Sequence, residues 1–126
     1  MRAVDTNVLV RLTTRDDAKQ AELADEFVAK GAWVSHLVLA ETTWVLSAVY
    51  ELRAAKILTA VEMLLNHESL SIQEPDVVRA AAELFRQKPS LGFSDCLVLE
   101  VARAAGHLPL ATFDRNLGKL AGAQRL

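Results

Sequence analysis

Four acidic residues of this 126-residue chain, Asp5, Glu41, Asp95 and Asp114, have positions that a simple solvent-exposed charge does not explain. Asp5 and Asp114 directly follow short apolar segments with the composition of β-strands, and Asp95 falls in the first turn of a predicted helix. Taken singly, each aspartate has a structural explanation, because aspartate forms turns, caps helices and interacts favourably with the helix dipole. Taken together, they predict a cluster of carboxylates.

Glu41 is the least ordinary of the four acids because it interrupts an apolar stripe. Its neighbours at helical spacing are Leu37, Val38, Trp44, Val45 and Ala48. Since burial of a lone carboxylate is costly, we expect Glu41 to be paired, protonated or bound to a metal. The alternative is that Glu41 lies at the rim of the stripe, near the start of its helix.

A divalent cation is the charge that best fits such a cluster. Carboxylates held about 5 Å apart repel one another by roughly 3 kcal/mol per pair at an effective dielectric constant near 20. No arginine or lysine is interleaved with the four acids in a way that demands pairing. Oxygen ligands alone favour Mg²⁺, or Mn²⁺, over Zn²⁺, and the three histidines (His36, His67 and His107) do not form a zinc motif.

The elements that must position these acids alternate between short strands and helices. Strands are predicted at Arg2–Val4, Trp33–Ser35, Leu70–Ile72 and Leu108–Thr112, with a weaker fifth strand near Gln124–Leu126. A tight turn and the start of a helix are predicted at Thr6–Leu12. The next helix is predicted from a cap at Asp16 or Asp17 to about Lys30, with Leu23, Phe27 and Val28 on its inner stripe. Further helices are predicted at His36–Tyr50, Arg53–Asn66, Asp76–Lys88, from a cap at Ser94 to Ala105, and at Arg115–Leu120. This alternation predicts an α/β fold with a central parallel sheet of four to five strands between helices, whose functional crevice lies beyond the carboxyl ends of the strands.

Length and composition predict a single globular domain, residues 1–126. Hydrophobic residues make up 52% and charged residues 24%, which excludes a disordered chain, and the net charge of −2 excludes a wholly basic nucleic-acid binder. A polyanion could still bind through local basic patches. Candidates for phosphate contacts are Arg11, Arg15, Arg53, Lys88, Arg115 and Lys119, and the alternative is that these residues are ordinary solvated surface.

The chain also predicts a cytoplasmic location without membrane contact. No apolar run approaches the roughly 18 residues of a membrane span, and Asp5 interrupts what would be the apolar part of a signal peptide. Cys96, the only cysteine, cannot form an internal disulfide. We expect it to be a small core residue in a reducing compartment.

Four segments of the chain resemble the acidic motifs of PIN-domain ribonucleases. They are Val4–Arg11, Leu39–Leu46, Phe93–Leu97 and Leu110–Leu117, and each contains one of the four acids. Their order and spacing, together with the length of the chain, resemble the VapC-type toxins of bacterial toxin–antitoxin pairs. Two positions depart from the family pattern. Cys96 stands where the third motif commonly has alanine, and Asn116 stands where some relatives carry a further acid, so no fifth carboxylate ligand is expected.

The resemblance implies a PIN-like three-layer sandwich with a five-stranded parallel sheet, Mg²⁺-dependent endonucleolytic cleavage of RNA, and inhibition by a small antitoxin protein. Asp5, Asp95 and Asp114 would hold the metal, and Glu41 would be a further ligand or would orient the attacking water. Nearby polar residues would hydrogen-bond the ligating carboxylates, with candidates at Thr6, Asn7, Ser94, Thr112 and Asn116.

A homodimer is also expected, because Trp44–Tyr50 and Arg53–Leu65 carry more apolar residues than one buried face requires. These include Trp44, Val45, Leu46, Val49, Tyr50 and Leu52. The antitoxin is expected to place an arginine or lysine among the four acids and to pack a helix on the exposed surface around Trp44.

Two alternative functions stay open. One is a non-catalytic PIN-fold module that binds RNA or a protein partner, and the other is a stand-alone PIN nuclease without an antitoxin. A phosphatase of the haloacid-dehalogenase type is disfavoured, because its chemistry needs a second acid two residues after the first and this chain has Asn7 there.

Overall fold

Short strands and longer helices alternate along the chain in the computed structural model, which describes residues 1–126. The strands are β1 (Arg2–Ala3), β2 (Ala32–Val34), β3 (Leu70–Ile72), β4 (Leu110–Thr112) and β5 (Ala123–Arg125). The helices are α1 (Thr6–Thr14), α2 (Ala18–Val28), α3 (His36–Ala48), α4 (Ala54–Asn66), α5 (Pro75–Gln87) and α6 (Phe93–Ala104). A 3₁₀ turn at Leu117–Lys119 replaces the short helix predicted at Arg115–Leu120. The predicted α/β class is confirmed.

All strand pairs are parallel, but the strands lie in two sheets. β1, β2 and β3 form one sheet in that order, with Arg2 opposite Ala32 and Trp33 opposite Ser71. β4 and β5 form a second sheet, with Leu110 opposite Ala123. No backbone hydrogen bond joins β1 to β4. The five strands are therefore the predicted ones to within a residue or two, whereas the single central sheet is replaced by a three-stranded and a two-stranded sheet.

Side-chain caps explain where several helices begin. Asp5, Asp17 and Ser35 stand at the N-cap positions of α1, α2 and α3, and each accepts a backbone N–H three residues ahead. The cap predicted at Asp16 or Asp17 is thus Asp17. Ser94 was expected to cap α6, but that helix starts earlier, with Gly92 at the cap position and Ser94 inside the first turn.

Apolar side chains of helices and sheet meet in one core. Fully buried residues come from several elements and include Val34 of β2, Val61 of α4, Val78 of α5 and Leu99 of α6. The second sheet packs on this core through Leu110, Leu117, Leu120 and Ala123. The two sheets are therefore joined by apolar packing.

Two predicted core positions behave differently. Cys96 is fully buried, as expected. Leu23, expected on the inner stripe of α2, is 56% exposed, because Ala21, Ala24 and Val28 form the buried stripe instead. None of the helices combines the length and the apolar character needed to cross a membrane.

Candidate active site

Asp95 and Asp114 are the two predicted acids that interact with each other. Asp95 lies half-buried in the first turn of α6, and Asp114 follows β4 and is exposed. Burial raises the pKa of the Asp95 carboxyl above its usual value, and the negative charge of Asp114 raises it further. No cation pairs with Asp95, since the ion pairs of the chain all lie elsewhere. The pair is therefore a concentration of negative charge without an internal counter-charge.

A tight turn holds Asp114 in place. Its Oδ1 accepts the backbone N–H of Leu117 at 2.7 Å, and its own N–H donates to Oγ1 of Thr112 at 3.0 Å. Thr112 therefore orients the backbone of Asp114, whereas the prediction had its hydroxyl bonded to a carboxylate. Asn116 lies at the start of the 3₁₀ turn and is exposed, without a side-chain hydrogen bond.

Asp5 occupies a similar position at the end of β1. Its Oδ1 accepts the backbone N–H of Val8 at 3.2 Å, which caps α1. Thr6 is buried and Asn7 is exposed, and neither side chain hydrogen-bonds to an acid. The capping or turn-forming role considered from the sequence is thus confirmed for one carboxylate oxygen of Asp5 and one of Asp114. The other oxygen of each accepts no protein hydrogen bond.

Glu41 lies in the middle of α3 and is exposed, which contradicts the expectation of a buried carboxylate. The apolar stripe around it faces outward, because Leu37 is 79% and Trp44 is 60% exposed. The buried stripe of α3 consists of Leu39, Thr42, Thr43 and Leu46. Glu41 is therefore hydrated and does not need a partner for the helix to form.

No three histidine, cysteine, aspartate or glutamate side chains lie close enough together to hold a metal ion. The convergence of all four predicted acids thus stays a prediction. The chemistry of the Asp95–Asp114 pair nevertheless fits a hard divalent cation. Its donors are carboxylate oxygens, and an added positive charge would offset both effects that raise the Asp95 pKa.

The Cys96 thiol is next to the acid pair in sequence but takes no part in its chemistry. Burial, with a smaller contribution from the charge of Asp95, raises its pKa to about 11. The thiol is therefore protonated at neutral pH and is a poor metal ligand. Ser94 is half-buried and lines a cavity of about 300 Å³ between α3, α4 and the segment that leads into α6.

The structure also shows a polar cluster that the sequence did not reveal. Arg11 donates to Oδ1 of Asp16 at 2.8 Å and to the Tyr50 hydroxyl at 3.1 Å, and that hydroxyl donates to Oδ2 of Asp16 at 2.7 Å. Arg15 pairs with Asp25 at 2.6 Å. Two of the predicted phosphate contacts, Arg11 and Arg15, thus already have acidic partners. The acidic partners lie within ten residues of their arginines, whereas Tyr50 is 39 residues from Arg11, so only the fold brings the tyrosine into the cluster.

The profile of the PIN domain family matches residues 2–123 of the chain. The match covers nearly the whole sequence, and the chain therefore belongs to the PIN domain family. PIN domains are generally nucleases, which supports a hydrolase acting on phosphodiester bonds. The acid pair between α6 and the turn after β4 is then the candidate active site. A search of curated proteins found no significant match.

Replacement Asp95→Asn is expected to stabilise the metal-free protein near neutral pH. The folded-state pKa of Asp95 is raised, so ionisation of Asp95 disfavours the folded chain at neutral pH. This penalty disappears as the pH falls through the raised pKa towards the ordinary value of 3.8. The free energy of unfolding, measured with urea at several pH values, should favour the variant increasingly between about pH 4 and pH 7.

The pKa values of Asp16 and Asp25 are lowered by their hydrogen bonds, so these two groups make the folded chain more stable as the pH rises, opposite to Asp95. The contribution of Asp95 is therefore measured as the difference in unfolding free energy between variant and wild type. Asp114→Asn should give the same trend at smaller amplitude, since it removes only the second cause of the shift. A stability difference for Asp95→Asn that does not vary with pH would contradict the assigned environment.

Proposed function

We propose that this PIN domain is a Mg²⁺-dependent endoribonuclease and the VapC-type toxin of a toxin–antitoxin pair, acting in the cytoplasm. The Asp95–Asp114 pair carries the proposal. Its charge is partly dehydrated and lacks an internal counter-charge, and both acids lie in segments that resemble the acidic motifs of PIN-domain nucleases. Apart from its favourable interaction with the dipole of α6, a half-buried carboxylate that makes no hydrogen bond or ion pair is unfavourable for the fold, which disfavours a non-catalytic binding module.

Asp95 and Asp114 form the centre of the proposed metal site, Asp5 completes the ligands, and Glu41 acts on the attacking water. A bound Mg²⁺ or Mn²⁺ supplies positive charge at the phosphate and lowers the pKa of a coordinated water. Asp5 and Asp114 are suited to fixed positions, because each is anchored by a backbone N–H through one oxygen and keeps the other free. Asp95 keeps both oxygens free of protein hydrogen bonds.

Glu41 is the proposed acceptor for a proton of the attacking water, since it is hydrated and makes no ion pair. Water attacks phosphorus, the bond from phosphorus to the 3′-oxygen breaks, and that oxygen takes up a proton from solvent. The products carry a 5′-phosphate and a 3′-hydroxyl. The 2′-hydroxyl is not a nucleophile in this reaction, so selectivity for RNA must come from binding.

We also propose that the protein forms a homodimer through an outward apolar face, here called the α3/α6 face. It consists of Leu37, Trp44, Val98 and Val101, which are 79%, 60%, 50% and 36% exposed. Helices α3 and α6 pack against each other, so these side chains come from adjacent elements. Of the residues expected from the sequence, Trp44 and Val49 are exposed, whereas Leu46 is buried and cannot contribute.

The antitoxin then needs a different surface from the dimer. A groove of about 300 Å³ runs between α1 and α2, and its apolar lining includes Val8, Leu23 and Phe27. It also contains Asn7, two residues after Asp5, so a helix in this groove would lie near that acid. We propose that the antitoxin packs an amphipathic helix here and directs an arginine at the carboxylates.

Cleavage of single-stranded RNA should require a divalent cation and Asp95. Because a bound cation lowers such a barrier by several kcal/mol, and about 1.4 kcal/mol is tenfold in rate, EDTA and Asp95→Asn should each reduce the rate at least roughly a hundredfold. Asp5→Asn should behave likewise. Glu26→Gln, which removes an exposed and unpaired acid of α2, is the matched control and should cleave normally.

Mg²⁺ or Mn²⁺ should also raise the melting temperature of the wild type, because the ion binds the folded chain, and should raise that of Asp95→Asn less. Wild-type protein that neither cleaves RNA nor responds to the metal in a melt would favour the non-catalytic alternative.

The antitoxin should compete with the metal. Calorimetric titration of Mn²⁺ into the free toxin and into the toxin–antitoxin complex is expected to show a weaker affinity for Mn²⁺ in the complex. Equal affinities would mean that inhibition works by covering the RNA-binding surface. If no small neighbouring protein co-purifies with the chain, the stand-alone nuclease becomes the better interpretation.

Two variants separate the two proposed protein interfaces. Trp44→Glu should convert the dimer to a monomer that still binds the antitoxin, and Leu23→Glu should stay dimeric but lose the antitoxin. Light scattering at micromolar concentration gives the mass, and co-purification gives antitoxin binding. A wild-type monomer under these conditions would refute the dimer.

A further inference from the structure

A cationic groove lies between the segment that leads into α6 and the turn after β4. It has a volume of about 390 Å³, and its polar lining consists of Lys88, Ser90, Asn116 and Lys119. Leu91 and Leu120 also line the groove. Leu91 belongs to the hydrophobic core, and Leu120 packs against it. The groove is therefore a concave, polar surface on a packed support. We refer to it as the lysine groove.

The two lysines of this groove have no acidic partner. Every ion pair of the protein uses an arginine, and neither Lys88 nor Lys119 takes part in one. Both residues are exposed. Two ammonium groups on one concave surface repel each other, and a bound anion would relieve that repulsion. Asn116 and Ser90 add neutral hydrogen-bond donors, which suit phosphate oxygens.

The lysine groove shares its walls with the candidate active site. One wall, through Ser90 and Leu91, continues into α6 and Asp95. The other wall, through Asn116 and Lys119, directly follows Asp114. The same two segments thus present the acid pair and, next to it, the unpaired cations. A single-stranded nucleic acid that crosses the acid pair along this junction would also meet the lysines.

We propose that the lysine groove binds the phosphate backbone of the single-stranded RNA substrate beside the bond to be cleaved. This inference rests on the proposed nuclease function and extends it to substrate binding. RNA fits better than an acidic peptide, because RNA carries a charge at every nucleotide. A strand held at the lysines therefore also brings a phosphate to the neighbouring acid pair.

The groove also distinguishes among the basic residues that the sequence offered. Arg11 and Arg15 are held by Asp16 and Asp25, so a phosphate would have to compete with a carboxylate for them. Lys88 and Lys119 face no such competition and act on one surface. Their proposed role is to fix the position of the strand, without choosing among base sequences.

The test uses the full-length protein in EDTA and a fluorescein-labelled single-stranded RNA, with affinity read from fluorescence anisotropy at several KCl concentrations. The double variant Lys88→Gln/Lys119→Gln is compared with Lys19→Gln/Lys30→Gln, which removes the same charge from exposed lysines outside the groove. Melting temperatures check that both variants fold.

Log affinity falls with log salt concentration, and loss of two phosphate contacts should make this dependence shallower by about 1.4 in slope. Binding should weaken roughly 10- to 30-fold at 0.1 M salt. The control pair should bind within about twofold of wild type. With Mg²⁺, the groove variant should raise KM for cleavage far more than it lowers kcat, because its acids are intact. Binding that survives the groove variant, or that falls equally in the control pair, would overturn the inference.

Two further outcomes separate the groove from the function. If the groove variant cleaves RNA in a metal-dependent way with an unchanged KM, the nuclease function is supported and the role of the lysine groove is contradicted. If RNA binding depends on the two lysines but the wild type does not cleave RNA, the role of the lysine groove is supported and the nuclease function is contradicted. Polyglutamate serves as a competitor. If it displaces RNA from wild type with similar affinity, the groove accepts any polyanion, and its assignment to the RNA substrate fails.

Discussion

The partial burial of Asp95 beside the negative charge of Asp114 is the electrostatic constraint that the rest of the candidate site must accommodate. Burial and proximity both penalise ionisation of Asp95, and no side chain of the chain relieves either effect. Such an arrangement lowers stability unless something else binds there. The apolar core supplies the compensating stability, since α6 is anchored by buried residues such as Cys96, directly after Asp95, and Leu99, one turn beyond it. The fold thus holds an unfavourable pair of charges at its surface without an internal counter-charge.

Backbone amides provide the second part of that arrangement. Asp5 and Asp114 each follow a short strand, and each accepts an N–H three residues ahead. The bond begins a helix in one case and closes a turn in the other. It fixes the direction of the carboxylate in both cases, because an anchored side chain loses most of its rotamer freedom. Helix initiation and placement of an acid are therefore one and the same contact, so a change at either residue affects both.

Local periodicity predicted the parts of the structure that depend on neighbouring residues. The alternation of strands and helices, the cap at Asp17 and the burial of Cys96 all follow from short segments. The burial of Glu41 was wrongly predicted because α3 has a second stripe, Leu39, Thr42, Thr43 and Leu46, and periodicity does not tell which stripe faces the core. The PIN family was recognisable from four short motifs, since the motifs keep their order along the chain.

Features that depend on distant residues were not predictable in this way. The contact between Arg11 and Tyr50 joins residues 39 positions apart, and the two walls of the lysine groove also come from separate parts of the chain. The division of the strands into two sheets is also a matter of long-range pairing, and strands of two or three residues supply too few hydrogen bonds to dictate it.

The separate β4–β5 sheet affects how the molecule opens. Proteins unfold locally in units, and a unit that shares no backbone hydrogen bonds with its neighbours can detach without breaking theirs. β4, the 3₁₀ turn and β5 form such a unit, held to the rest by apolar packing and by the bond from Arg103 to the carbonyl of Ala121. Detachment carries Asp114 away from Asp95, so their repulsion favours opening and a cation between them opposes it. The amide protons of β4 and β5 therefore report, through their rate of exchange with solvent, the charge that resides at the acid pair.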